Sequence, residues 1–198
     1  GLKIKGIRDP EVLEAIGKVP RHLFMDSSFI HFAYKDQAFP IGSGQTISQP
    51  YTVAFQTQLL QIEKNDKVLE VGTGSGYQTA FLAEMGAKVF TIERQKELFL
   101  KAQSFLPDIG YNPACFFGDG YAGLPHFAPF DKILVTAGAN SVPQALKEQL
   151  KTDGRLVIPV GDANRQEMIV VKRVSETDYK TEKHGGFVFV PLLKGTVN

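Results

Sequence analysis

Three glycines, three acids and one serine are the residues of this chain with the types and spacing to do chemistry together. Gly72, Gly74 and Gly76 stand in "VLEVGTGSGYQTAFLA", between a compact apolar run and a helical pattern. Glycines there let the backbone turn tightly and come close to a ligand. The start of the following helix offers free N–H groups to an anionic group. Glu93 closes the next apolar run, about twenty residues on, where an acid accepts hydrogen bonds from ribose hydroxyls. Glu70, just ahead of the first glycine, can help hold a cationic amino acid end, and Asp119-Gly120 would reach an adenine ring. A dinucleotide fingerprint reads G-x-G-x-x-G, whereas this loop reads G-x-G-x-G. The features in this order favour S-adenosylmethionine over a nicotinamide dinucleotide, and over a glycine turn that only packs helix on strand.

Upstream lies a second chemical stretch, "GQTISQP" at 44–50, inside "AFPIGSGQTISQPYTVAF". It is polar and hydroxyl-bearing, with Pro40, Ile41 and Ile47 as apolar anchors, and it contains no acid or base. Two roles are open for Ser48. It can cap a helix opened by Pro50, or it can hold a substrate.

The elements that must position these residues follow from periodicity. Residues 10–18 read as a helix, 19–25 as a short helix or turn, and 26–48 as loop. Phe55, Leu59 and Ile62 recur at helical spacing, predicting an amphipathic helix over 50–62. From residue 67 the pattern alternates. Strands are expected at 67–72, 88–93, 114–119, 130–138 and 154–161, and helices at 77–85, 95–109 and 142–150. The stretches "QEMIVVKRVSE" and "GGFVFVPLL" are strand-like with no helix between them, so they are expected to pair antiparallel at one edge. Such alternation implies an α/β fold with a parallel sheet covered on both faces. Ligands then bind at the carboxyl ends of the strands.

Composition narrows the function classes. The chain has 198 residues and a formal net charge of +1, with its Lys and Arg spread out, which argues against a basic face for nucleic acid. Cys115 is the single cysteine, so an intrachain disulfide is impossible and a cysteine-based metal site is not expected. Long apolar runs and a signal-peptide core are both lacking, which makes a cytoplasmic location the simplest expectation. No apolar helix stripe stands out as exposed, so a monomer is expected. His22 and His31 read as structural or surface residues with no metal-ligand spacing, and Cys115, Phe116 and Phe117 as buried strand residues.

The segments "VPRHLF", "AYKDQAFPIGSGQTISQPYTVA", "VLEVGTGSGYQTAFLA", "VFTIER", "GDGYAGLP", "FDKILVTAGA" and "GRLVIPVG" together resemble the protein-L-isoaspartate O-methyltransferase family over nearly the whole chain. The glycine block is shared with many S-adenosylmethionine enzymes, whereas the PIGxGQTIS block is specific to this family. The resemblance implies a doubly wound, mostly parallel Rossmann-like methyltransferase sheet with an antiparallel edge and an N-terminal helical and loop extension. It implies one domain over 1–198, in which 1–62 carries the substrate loop and 63–198 the cofactor-binding core. Carried over by position, Ser48 falls on the family's active-site serine, with Gln45, Thr46 and Ile47 beside the cofactor. Gly72, Gly74 and Gly76, with the intervening Thr73 and Ser75, would cradle the methionine end. Glu93, followed by Arg94, would bind the ribose, and Asp119 and Gly120 would frame the adenine. Ala38 departs from the family's usual Pro, and Gly138 and Asn140 from its usual Ala and Pro.

The activity so implied is methyl transfer from S-adenosylmethionine to the free carboxylate of L-isoaspartyl residues in damaged proteins and peptides, with D-aspartyl residues as a second class left open. The chemistry suits the serine stretch. A carboxylate nucleophile has an ordinary pKa near 4, so it is ionised at neutral pH and needs no general base. Holding it in line with the methyl group can contribute roughly 7–11 kcal/mol. Rival readings are weaker. Amino-directed nucleic-acid methyltransferases carry (D/N/S)PP(Y/F) after the fourth strand, where this chain has "VTAGANSVP". A metal-dependent enzyme acting on small molecules would need clustered acids at the strand ends, and Asp131 is at the wrong end. Two further readings stay open: a small-molecule methyltransferase without metal, and a non-catalytic module that binds the cofactor but transfers no methyl group.

Overall fold

The computed structural model describes all residues, 1–198. In chain order, helix α1 covers Pro10–Lys18, β1 Phe39–Gly42, β2 Gln45–Ile47, α2 Pro50–Leu60, β3 Lys67–Val71, α3 Tyr77–Glu84 and β4 Lys88–Glu93. Then come α4 (Lys96–Asp108), β5 (Ala114–Phe117), β6 (Phe130–Val135), α5 (Gln144–Glu148), β7 (Leu150–Gly161), β8 (Gln166–Arg173) and β9 (Tyr179–Phe187). The main sheet has seven strands in the order β5-β4-β3-β6-β7-β8-β9. The first five of these are parallel, and β8 and β9 add on antiparallel. The chain runs outward from β3 through β4 to β5, then returns to place β6 on the other side of β3. The switch point therefore lies between β3 and β6, and the crevice at their carboxyl ends is where such a sheet binds ligands.

Strand periodicity divides the core in two. Val68, Leu134, Val157 and Val170 face one side and join residues of α1, α2, α3 and α4 in a single apolar cluster. Leu69, Ile133, Leu156 and Val171 face the other side, against Leu146 of α5 and Phe130. Ile7, Val12, Val19, Phe24 and Ile47 belong to the first cluster, so the N-terminal arm shares its core with the sheet.

Several expected elements differ. The loop over 26–48 contains a 3₁₀ turn at Ser27–Phe32 and the β1–β2 hairpin, whose tip uses positive φ at Gly42, Ser43 and Gly44. Helix α2 ends at Leu60, because Gln61 turns left-handed. Within it Val53, Ala54, Thr57 and Leu60 are buried while Phe55 and Leu59 are half-buried against the same core; Ile62, just past its end, is buried there, and the polar Gln56 is buried while donating to Val135 O at 3.0 Å. Helix α5 is only Gln144–Glu148, because Gln149 is captured by the backbone of Leu124 and Ala122, and Leu150 already opens β7. The last strand is Tyr179–Phe187 and not 185–193. Beyond it, Val188–Leu193 leaves the sheet and is pinned by Gly138, which donates to Val190 O and accepts from Leu192 N. Pro191 lacks the N–H that a ladder needs. Cys115, Phe116 and Phe117 are half-buried rather than buried, since β5 is an edge strand.

Candidate active site

Strand β3 ends at Val71 and the chain turns at Gly72 with φ +98. Side chains other than hydrogen cannot be placed there, because a Cβ would lie 2.5 Å from Thr136 Oγ1. That hydroxyl donates to Gly72 O at 2.7 Å and locks the turn to the end of β6. Gly74, at φ +54, donates its N–H to Glu93 Oε2 at 2.9 Å, and Gln95 N donates to Glu93 Oε1 at the same distance. The Glu93 carboxylate thus fixes the loop and the start of α4 together, with its remaining lone pairs available to a ligand. The N-cap Gly76 has no side chain to cap α3; Tyr77 N donates to Ser75 Oγ at 3.4 Å, and the next N–H groups have no side-chain acceptor.

Above this loop lies the hairpin. Ile41 of β1 sits 3.4 Å from where a Gly74 Cβ would be, so the hairpin packs directly on the glycine turn. Ser43 at its tip donates to Glu97 of α4 at 3.0 Å. Between the two segments is a cleft lined by Gln45, Thr46, Ile47 and Ser48 from the hairpin side, and by Gly72, Thr73, Gly74 and Ser75 from the loop side. Glu93, Arg94 and Gly120 line it as well, together with Thr136 and Ala137 from the "VTAGA" segment at the end of β6.

Ser48 does not cap α2. The N-cap is Gln49 and no side chain of that turn caps it. The role falls to Asp36, whose Oδ1 accepts from Tyr51 N at 2.8 Å. Ser48 instead lines the cleft, and its carbonyl accepts from Arg21 Nη2 at 3.1 Å.

Three expected cofactor residues do not face the cleft. Glu70 is fully buried beneath the loop, where its Oε2 lies within hydrogen-bond distance of the Thr79 and Thr91 hydroxyls. It lies on the side of β3 that faces the helices, so it does not reach the cleft. Gly76 forms the N-cap of α3 at φ +86, and a Cβ there would meet the Leu106 side chain at 3.2 Å, so its smallness serves helix packing. Asp119 turns away to accept from Tyr121 N and Gly195 N, leaving Gly120 to line the cleft. Arg94 lines the cleft, while its guanidinium donates to Gly195 O at 3.2 Å.

Sequence reasoning missed Arg21, Tyr77, Gln78 and the Val190–Leu193 segment. Tyr77, Gln78 and Val190–Leu193 line the cleft. Arg21 is 1% exposed and donates to Ala33 O, to Gln37 O at 2.9 Å and to Ser48 O. It lies between the rings of Phe39 and Tyr77, whose centroids are 5.8 and 5.7 Å away. Burial pushes the Tyr77 phenol up to about 12, so it stays neutral beside this cation. A lone arginine amid the apolar "VPRHLF" was the available signal, since a buried charge must find partners.

A model of the family described as protein-L-isoaspartate(D-aspartate) O-methyltransferase matches residues 1–197. The protein belongs to that family. It is 59% identical over 194 residues to a protein-L-isoaspartate O-methyltransferase of Flavobacterium psychrophilum, covering 98% of this chain and 91% of that one. The relative from Christiangramia forsetii is 60% identical with the same coverage. Among solved structures, one protein-L-isoaspartate O-methyltransferase is similar at TM-score 0.86 and 28% identity, covering 96% of this chain and 63% of that one. A Plasmodium falciparum protein described as a beta-aspartate methyltransferase, in complex with S-adenosyl-L-homocysteine, matches at TM-score 0.83 and 25% identity over 98% of this chain and 95% of that one. As a protein-L-isoaspartate O-methyltransferase family member, this chain has an S-adenosylmethionine methyltransferase fold and an S-adenosylmethionine cofactor. The cleft fits that cofactor in two respects: a turn too tight for any Cβ at Gly72, and an acid at the end of β4 with lone pairs to spare.

Proposed function

We infer that the protein is an S-adenosylmethionine-dependent protein carboxyl methyltransferase that esterifies the free carboxylate of L-isoaspartyl residues, and so starts repair of damaged proteins and peptides. The observation that carries this reading is the seating of the Ser48 hairpin on the glycine turn through Ile41, which makes one cleft of the two segments. The loop at 72–75, with Glu93, Arg94 and Gly120, would hold the cofactor, which supplies an electrophilic methyl group when bound. Ser48 would hold the substrate carboxylate, with Gln45, Thr46 and Ile47 beside the cofactor.

Ser48 suits the task electrostatically. The attacking carboxylate is already ionised, and its charge is neutralised as the ester forms. A neutral hydroxyl can orient it without binding the charged ground state too strongly. A cation would stabilise the charged ground state more than the transition state, and only differential binding accelerates reaction. Arg21 respects this, since its charge is spent on three backbone carbonyls. In the same reading the chain is one domain, acts as a cytoplasmic monomer on isoaspartyl proteins, with D-aspartyl residues as a further substrate class, and uses neither nucleic acid nor membrane as partner. No helix is long and apolar enough to cross a membrane.

The test is transfer of labelled methyl from S-adenosylmethionine to paired peptides containing isoaspartate or ordinary aspartate. Base-labile ester on the isoaspartyl peptide alone is the expected result. Binding of cofactor with transfer to neither peptide would overturn it.

A further inference from the structure

The fully buried Glu70 is an acid the methyl transfer does not use. It pairs in register with Thr91 on β4 and lies under the first turn of α3. Its Oε2 meets two hydroxyls, Thr79 Oγ1 and Thr91 Oγ1, the latter at 2.7 Å. Its Oε1 is buried with no partner. Thr91 Oγ1 in turn lies 2.6 Å from Thr73 Oγ1, and Thr73 lines the cleft. Three side chains therefore form an unbroken row from a buried carboxyl through two hydroxyls to the cofactor loop. The other titratable groups that face Glu70 are Glu93 on β4 and Cys115 on β5, and no base is among its bonding partners.

We propose that Glu70 is a positioning residue: as a neutral acid it donates to Thr91, Thr91 donates to Thr73, and the Thr73 hydroxyl is left pointing its proton at the carboxylate of the cofactor's amino acid end. This rests on the cofactor reading above. The direction of the row follows from counting donors. Each threonine has one O–H to give. If Glu70 were ionised, Thr91 would donate to it and Thr73 would donate to Thr91. The cleft would then be offered only oxygen lone pairs, which suit a carboxylate badly. The neutral form puts its one proton on Oε2, directed at Thr91 Oγ1 while the Thr79 hydroxyl donates to the same oxygen, and leaves Oε1 as the unpartnered carbonyl oxygen. Burial of an unpaired carboxylate is costly. Desolvation, with the like charge of Glu93 adding to it, raises the Glu70 carboxyl to about 8.

The experiment is calorimetric titration of the intact protein with S-adenosylhomocysteine from pH 6.5 to 9.5. The control ligand is 5′-methylthioadenosine, which lacks the amino acid end. Wild type should lose about tenfold in S-adenosylhomocysteine affinity across that range, the worth of one hydrogen bond to a charged group. Glu70→Gln, whose amide donates at every pH, should bind nearly as wild type does at pH 6.5 and about tenfold more tightly than wild type at pH 9.5, any fall common to both being titration of the ligand's own α-amino group. Thr73→Val should bind about tenfold more weakly at pH 6.5. Affinity for 5′-methylthioadenosine should be flat throughout. A wild-type profile that is flat, a Glu70→Gln profile that falls in parallel with it, or an equal fall with 5′-methylthioadenosine overturns the proposal. Should Glu70→Gln fail to fold, Thr91→Val cuts the same row and must likewise lose about tenfold less affinity than wild type between pH 6.5 and 9.5. Failure of wild type to bind S-adenosylhomocysteine at any pH would instead overturn the cofactor reading.

Discussion

The two walls of the cleft are built in opposite ways. The glycine-loop wall hangs from the ends of β3, β4 and β6, central strands of the sheet, and is held by bonds in which backbone groups are one partner: Gly74 N to Glu93, and Gly72 O to Thr136. The serine wall is a hairpin of short strands outside the main sheet. Its flanks are tied together by the side chain of one residue, Arg21, which gathers the carbonyls of Ala33, Gln37 and Ser48. Rigid strands suit a cofactor that is the same in every turnover. A wall held by a long side chain can be reshaped without disturbing the sheet, which suits the half of the site that meets varied protein substrates. Damage should therefore spread differently from the two sides.

The largest effect is expected on the loop side. Gly72→Ala puts a methyl 2.5 Å from Thr136 Oγ1 at a φ that L side chains avoid. It should cost about 2–4 kcal/mol of stability and remove measurable S-adenosylhomocysteine binding, as read by thermal unfolding and calorimetry. Unchanged cofactor affinity would show that the tight turn is not needed. Next comes the serine wall's support. Arg21→Met leaves buried carbonyls unpaired, so stability should fall by about 1–3 kcal/mol. At a temperature where the variant is folded, kcat/KM for an isoaspartyl peptide should drop about 100-fold, with cofactor affinity within about threefold of wild type. Equal losses on both ligands would mean that the two walls are one unit.

Ser48→Ala removes only a hydroxyl from that wall. Turnover should fall about tenfold or more with cofactor affinity and stability nearly unchanged, measured by steady-state kinetics and calorimetry. Because Asp36, and not Ser48, caps α2, no loss of helix stability is expected from this change. Asp36→Ala, conversely, should cost about 1 kcal/mol in thermal unfolding and alter cofactor affinity least of all. If Ser48→Ala destabilised the protein more than Asp36→Ala, the division of roles between the two residues would be reversed.

The loop wall was the more legible one. Strands buried on both faces read as short apolar runs, and glycines at positive φ mark the turn between strand and helix. Those two signals together located Gly72, Gly74 and Glu93. They did not tell which way each side chain points. Glu70 looked like a cofactor ligand because it adjoins the first glycine, yet strand parity turns it toward the helices, with Val68 two residues earlier in the cluster that α1, α2 and α3 cover. The placement of Asp119 was hidden for a similar reason: its carboxylate accepts from Tyr121 N and from Gly195 N, 76 residues away in the chain, and it does not line the cleft.

On the serine wall the motif was legible and its support was not. "GQTISQP" marked the substrate side by its resemblance and by its lack of any acid or base. The Asp36 helix cap, the Arg21 bonds and the pairing of Val190 and Leu192 with Gly138 join residues far apart in sequence, and no local pattern records such pairings. The sequence by itself determined the alternation of strands and helices, the glycine turn and the cofactor class, because each depends on short-range periodicity or backbone freedom. Tertiary structure alone decided that Arg21 carries the Ser48 loop, that Asp36 caps α2, and that Glu70 lies beneath the glycine loop and not in the cleft. Each of those outcomes depends on which buried polar group finds a partner, and partners are settled only when distant segments pack.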